Sequence, residues 1–281
     1  MTDRFDWLEL EKIKSNPPSG AYKPAQQPWD AASFYRAGCE MREHGYLHSA
    51  IPYFEKAVAL SDQHYDAWLA LIDALVHTGN LDIADMRSKE ALDNYRLVRP
   101  FYAARALLLA HKGQFDEAFS LSNVSCSKEE PHWYAFCVRG EILLLKDVEQ
   151  RLDAMIFFEA SLECPGVDWQ AYLMAGNALL EAHLPAMAAG MFAEAAHLNP
   201  RASACWLGLG DSFLALRLYD QAMFYYQRMT ELQPKHEIAI ERQKRCAPLG
   251  YGLMKVLVPR ALQGRWKSKF GAILRKERLG R

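Results

Sequence analysis

Residues 31–236 predict an all-α solenoid of about six stacked helix pairs, and two sets of spacings carry that prediction. Phe34, Trp68, Tyr102 and Phe136 recur every 34 residues, as do Gly45, Gly79 and Gly113, and Ala50, Ala84 and Ala118. The same period returns in a later block, in Tyr172 and Trp206, Gly176 and Gly210, Ala188 and Ala222, Phe192 and Tyr226, Pro200 and Pro234. The two blocks are offset by 36 residues (Phe136 to Tyr172, Gly140 to Gly176), so the fourth unit carries two additional residues, which the pattern places in its turn near positions 147–151. No stretch sustains the period-two alternation of a half-buried strand.

Each recurring position has a mechanical role. The aromatic is a knob on the first helix of a unit, and small residues such as Gly38, Gly176, Gly210 and Ala188 let two helices approach closely. Gly45, Gly79 and Gly113 end the first helix, because glycine takes the left-handed conformation of a helix C-terminus without a Cβ clash. Pro200 and Pro234 end the second, since a proline cannot continue a helix. A unit of this kind buries its apolar face only by stacking on its neighbours.

The pattern resembles the tetratricopeptide repeat, a helix–turn–helix of 34 residues, and the fullest copy is Trp206, Leu209, Gly210, Phe213, Tyr219, Ala222, Tyr226, Leu232 and Pro234. Six units fit, at about 31–64, 65–98, 99–132, 133–168, 169–202 and 203–236. Units three and four depart from the pattern, with Arg105 and Ser122 in place of apolar residues and no proline closing unit three. The resemblance implies a right-handed superhelix whose first helices line a concave, ligand-holding face. Outside the units, residues 1–30 divide into an amphipathic segment and a Pro-rich linker, residues 237–248 read as a polar capping helix, and 249–281 form a basic amphipathic tail.

Composition agrees with a folded, cytoplasmic protein. The chain has 281 residues, 51% hydrophobic and 24% charged, enough for a core. Met1 to Lys14 lacks the basic start and apolar run of a secretory signal, and no apolar run approaches the ~20 residues of a membrane span. Six cysteines lie scattered without a C-x-x-C pair and are read as reduced thiols. The net charge of −1 conceals an asymmetry. Residues 249–281 hold nine Lys or Arg against one acid, Glu277, a net of +8 that leaves −9 for the remainder.

Signals for catalysis are absent. Gly208-Leu209-Gly210 has no preceding strand and is not a dinucleotide fingerprint, and no P-loop, H-E-x-x-H or G-x-S-x-G is present. His77 and His111 lie 34 residues apart and are read as helix-end histidines favoured by the dipole, not as a metal pair. Asp73 and Asp211 are read as groove polar contacts and not as general acids. No enzyme activity, cofactor, metal or small-molecule substrate is expected.

On the concave face the resemblance places Tyr35, Leu69, Asp73, Val76, Ala103, Leu107, Leu144, Leu173, Asn177, Leu180, Leu207, Asp211 and Leu214. A mostly apolar groove is expected, with Asn177 and Asp211 fixing the register of an amphipathic or apolar partner segment. The paired Lys and Asn with which one subfamily grips the carboxyl termini of heat-shock chaperones are replaced by Tyr35, Cys39 and Ala70, so that clamp is not present. In the tail, Leu262, Trp266, Phe270, Ile273 and Leu274 share one side of a helical wheel, and Arg260, Arg265, Lys267, Lys269, Arg275, Lys276 and Arg278 mostly occupy the rest. Such a segment suits an acidic protein, an anionic membrane surface, RNA or the chain's own acidic body. The expected function is a protein-interaction scaffold, adaptor or chaperone; the alternative is a peripheral assembly factor held by its tail at a membrane or a large complex.

Overall fold

The computed structural model describes residues 29–126 and 130–246, and among them it contains thirteen α-helices, one 3-10 turn and no strand. The helices pair in chain order. The first pair is α1 (Ala31–Glu43) with α2 (Leu47–Leu60), the second α3 (Tyr65–His77) with α4 (Leu81–Asn94), and the third α5 (Arg99–His111) with α6 (Phe115–Ser125). The fourth is α7 (Trp133–Lys146) with α8 (Arg151–Leu162), the fifth α9 (Trp169–Glu181) with α10 (Pro185–Leu198), and the sixth α11 (Ser203–Ala215) with α12 (Tyr219–Leu232). A last helix, α13 (Glu237–Cys246), stacks on α12. The two residues that lengthen the fourth unit are accompanied by a 3-10 turn, Val148–Gln150, between α7 and α8. No helix among the described residues is long and apolar enough to cross a membrane.

Close packing within and between units rests on glycine facing an aromatic ring. A Cβ on Gly176 would lie 2.8 Å from the Phe192 ring, and one on Gly208 would lie 2.5 Å from the same ring. Phe192, fully buried, therefore occupies a slot between α9 and α11 that only hydrogen at both positions leaves open. The turns repeat one conformation. Gly45, Gly79 and Gly113 have φ of +82°, +78° and +77°, and at the same register His183 and Arg217 are held at +58° and +59°. The left-handed bend is thus demanded by the unit even where glycine is missing.

The solenoid curves so tightly that its first turn meets its last units. Arg42 Nη2 donates to Gln170 Oε1 on α9 at 2.7 Å, and His44 Nδ1 and Ser203 Oγ on α11 are hydrogen-bonded at 3.1 Å. Tyr46 stacks on His236 at the start of α13, with ring centroids 4.6 Å apart. Small residues make this curvature possible. Ala103, Ala104 and Ala106 of α5 are all fully buried, and α7 closes over them, so that Tyr134 Oη reaches past α5 to donate to Asp73 Oδ1 on α3 at 3.1 Å.

Candidate functional site

The inner side of the curve holds a central cavity of about 380 Å³ that is partly open to solvent. Its wall comes from α1 (Tyr35, Arg42), α3 (Asp66, Leu69, Asp73, His77), the N-terminus of α7 (His132, Trp133, Tyr134), α9 (Gln170, Leu173, Met174, Asn177, Leu180, Glu181) and α11 (Ala204, Leu207, Asp211). A neighbouring cavity of about 370 Å³ shares Asp66, Leu69 and His132 and extends the track between α3 and α5 along Leu97 to Phe101.

Eight of the residues placed on the concave face by sequence line this cavity: Tyr35, Leu69, Asp73, Leu173, Asn177, Leu180, Leu207 and Asp211. The others do not. Ala103 and Leu107 are fully buried because α7 covers α5, which removes the third unit from the wall altogether. Val76 and Leu144, 2% and 4% exposed, sit in the interhelical core, and Leu214 is half-buried against the core of the last units. The tail residues Arg260, Arg265, Trp266, Lys267, Lys269, Phe270, Ile273, Arg275, Lys276 and Arg278 lie outside the described residues.

The apolar lining expected from the sequence carries more charge than Asp73 and Asp211 alone. Leucines and methionine share the wall with Arg42, Asp66, Asp73, His77, Glu181 and Asp211. Some of these charges neutralise one another. Asp73 Oδ1 lies 3.6 Å from His77 Nε2. Burial alone pushes Asp73 up, but the neighbouring His77 outweighs it and the carboxyl is lowered. Burial likewise pushes His77 down, while Glu141 and Asp73 outweigh it and raise its pKa to about 10. Asp211 accepts from Tyr226 Oη at 2.6 Å and pairs with Arg242 Nε at 3.2 Å, although burial still leaves its pKa raised.

Asp66 and Glu181 make no ion pair among the described residues. Burial, and then the Glu141 carboxylate, raise the Glu181 pKa. The wall therefore combines apolar surface with an excess of carboxylate. Sequence reasoning missed His132, Trp133 and Tyr134, because the unit pattern assigns no ligand role to the N-terminus of a first helix, and it missed Arg42, one turn beyond Cys39, and Glu181, next to Leu180.

Comparison with known proteins agrees with this architecture. The family model described as "Tetratricopeptide repeat" matches residues 32–84 and 173–237. A search of curated proteins finds no match. Among solved structures, the chain is similar to yeast Tom70 at 17% identity and a TM-score of 0.50, covering 77% of this chain and 46% of that one. It is similar to a chain of the APC/C hetero-tetramer Cut9-Hcn1 at 15% identity and a TM-score of 0.47, covering 79% and 44%. TTC0263, a thermophilic protein of Thermus thermophilus, matches at 17% identity and a TM-score of 0.45, covering 77% and 98%. The chain thus spans less than half the length of the first two, and at these identities the likeness is one of fold.

Proposed function

Because the chain belongs to the tetratricopeptide-repeat family, a fold of protein-interaction scaffolds, we propose that its central cavity holds a segment of a partner protein that presents basic and apolar side chains together. The observation that carries this reading is that two carboxylates without an ion pair, Asp66 and Glu181, share the cavity wall with the apolar side chains of Leu69, Leu173, Leu180 and Leu207. Burying a cation beside them stabilises the complex only if the pairing is close, so the carboxylates select the partner while the leucines supply affinity. The cavity has the volume of a small-ligand site and admits a few side chains of a segment, not a folded domain.

Short labelled peptides of matched hydrophobicity, one basic and one acidic, test this by fluorescence anisotropy on the full chain. The basic peptide should bind about tenfold tighter or more at low salt, with the margin shrinking as salt screens the charges. Asp66→Asn with Glu181→Gln should remove the margin while helical circular dichroism is unchanged. Equal binding of both peptides, or preference for the acidic one, would overturn the reading. The +8 of residues 249–281 supports a second contact surface, and its alternative role as a tether to an anionic membrane or an RNA-containing complex is checked by vesicle and RNA binding with and without that segment.

A further inference from the structure

We propose that His77, His111 and Glu141 bind a single divalent transition-metal ion, with zinc the best match to the donor set, immediately behind the cavity wall. This inference is independent of the partner reading above. The three residues come from three successive first helices, α3, α5 and α7. His77 and His111 share one position of the unit, and Glu141 sits one helical turn earlier, at the position that Asp73 holds in α3. The tight stacking of α7 over α5 brings the three side chains together.

Their ligand atoms all lie within 4.8 Å of one another. His111 Nε2 is 3.4 Å and His77 Nδ1 3.9 Å from Glu141 Oε1, and the two imidazoles meet edge to face with centroids 5.8 Å apart. Nitrogen and oxygen donors about 2.0–2.1 Å from a tetrahedral zinc stand roughly 3.3–3.5 Å from one another, so small side-chain rotations bring this set onto one ion. Two imidazoles and one carboxylate favour zinc over the hard cations calcium and magnesium.

Two independent features favour a cation at this position. The Glu141 side chain is 2% exposed, and its Oε2 is buried without a hydrogen-bond partner. A buried carboxylate oxygen left unpaired is costly, and no Lys or Arg among the described residues forms an ion pair with it. A histidinium at His77 between Asp73 and Glu141 faces only Oε1 and leaves Oε2 orphaned. The second feature is the surroundings of His77: its Nε2 faces Asp73 Oδ1 at 3.6 Å, and that oxygen accepts from Tyr134 Oη at 3.1 Å. A carboxylate that faces the far nitrogen and is itself held in place needs only a small shift to accept a hydrogen bond from it, the contact that orients a ligating histidine and raises its basicity. His77 also lines the cavity, and a tetrahedral ion held by these three residues would take a water as its fourth ligand.

The test uses the full chain, stripped with chelator and titrated with zinc against a chromophoric competitor and separately with cobalt(II). One equivalent of zinc should bind and raise the melting temperature, and cobalt should give the visible spectrum of a four-coordinate nitrogen and oxygen site without thiolate charge transfer. His111→Ala and Glu141→Gln should each weaken binding by more than the roughly 10–100-fold that loss of an outer partner costs, and Asp73→Asn should fall within that range. Absence of stoichiometric uptake by the wild type would overturn the proposal. So would a thiolate signature, or zinc affinity unchanged in both ligand variants. Should one variant lose its helical circular dichroism, the other variant and the wild-type cobalt spectrum decide.

Discussion

His236 Nε2 donates to the backbone carbonyl of His44 at 3.2 Å, joining positions 192 residues apart, while its Nδ1 accepts from the Ala239 amide at 3.3 Å. Both ring nitrogens are used, the side chain is fully buried, and Tyr46 stacks on its face. This one imidazole links the first turn of the solenoid to its last helix. His236→Ala would take this partner from the half-buried His44 carbonyl and from the buried Ala239 amide, at a cost of about 1–3 kcal/mol. Urea unfolding measures the loss, and small-angle scattering should show a larger radius of gyration as the first unit separates from the last. Unchanged stability and radius together would show that the contact does not hold the curve closed.

The same residue gives the closure a pH dependence. Burial first, and then the positive potential of His44, lower the His236 pKa, and the His44 carbonyl and the Glu237 carboxylate oppose them only in part. The folded state therefore binds this proton less readily than the unfolded chain, whose histidines titrate near ~6.5. Its contribution to stability is complete above that value and is lost as pH falls through the lowered folded pKa. Acidification from neutral pH should lower the urea midpoint, and His236→Asn should flatten that part of the profile. A wild-type midpoint independent of pH across this range would contradict the assignment.

Arg217 is held at φ +59° in the turn of the sixth unit, at the register where the first three units use glycine. A left-handed L-residue costs about 1–2 kcal/mol, offset in part by the larger entropy that glycine loses on folding. Arg217→Gly should therefore stabilise the protein by about 0.5–1 kcal/mol, read as a shift of the urea midpoint at unchanged slope. His183→Gly should behave alike.

The unit was legible in the sequence because it is local. An aromatic knob, a turn glycine and a small contact residue recurring every 34 positions fix the helix pairs, and each mark reflects a contact within one unit or with the next. Closure was not legible. It depends on small rotations accumulated across five interfaces between six units, and no single spacing encodes the sum. The burial of Ala103 and Leu107 follows from that curvature, which lets α7 cover α5. The candidate metal set was half visible. The spacing of His77 and His111 stands in the sequence, but Glu141 belongs to a different position of the unit and joins them only through helix stacking.

Leu173 and Leu207 separate stability from binding. Both line the cavity, but Leu173 is 8% exposed and belongs to the core of the last units, whereas Leu207 is half-buried and packs against that core from the cavity side. Leu173→Ala should cost about 2–3 kcal/mol through lost burial and the space left behind, while Leu207→Ala should cost roughly 1 kcal/mol for a half-buried side chain. Leu207→Asp adds charge to a wall already rich in carboxylate. It should retain helical circular dichroism, weaken binding of an apolar peptide, and spare more of the binding of a basic one, because the new carboxylate offers a counter-charge where apolar contact is lost. Equal weakening of the two peptides would mean that Leu207 contributes shape alone, and full retention of both would place the partner segment away from α11.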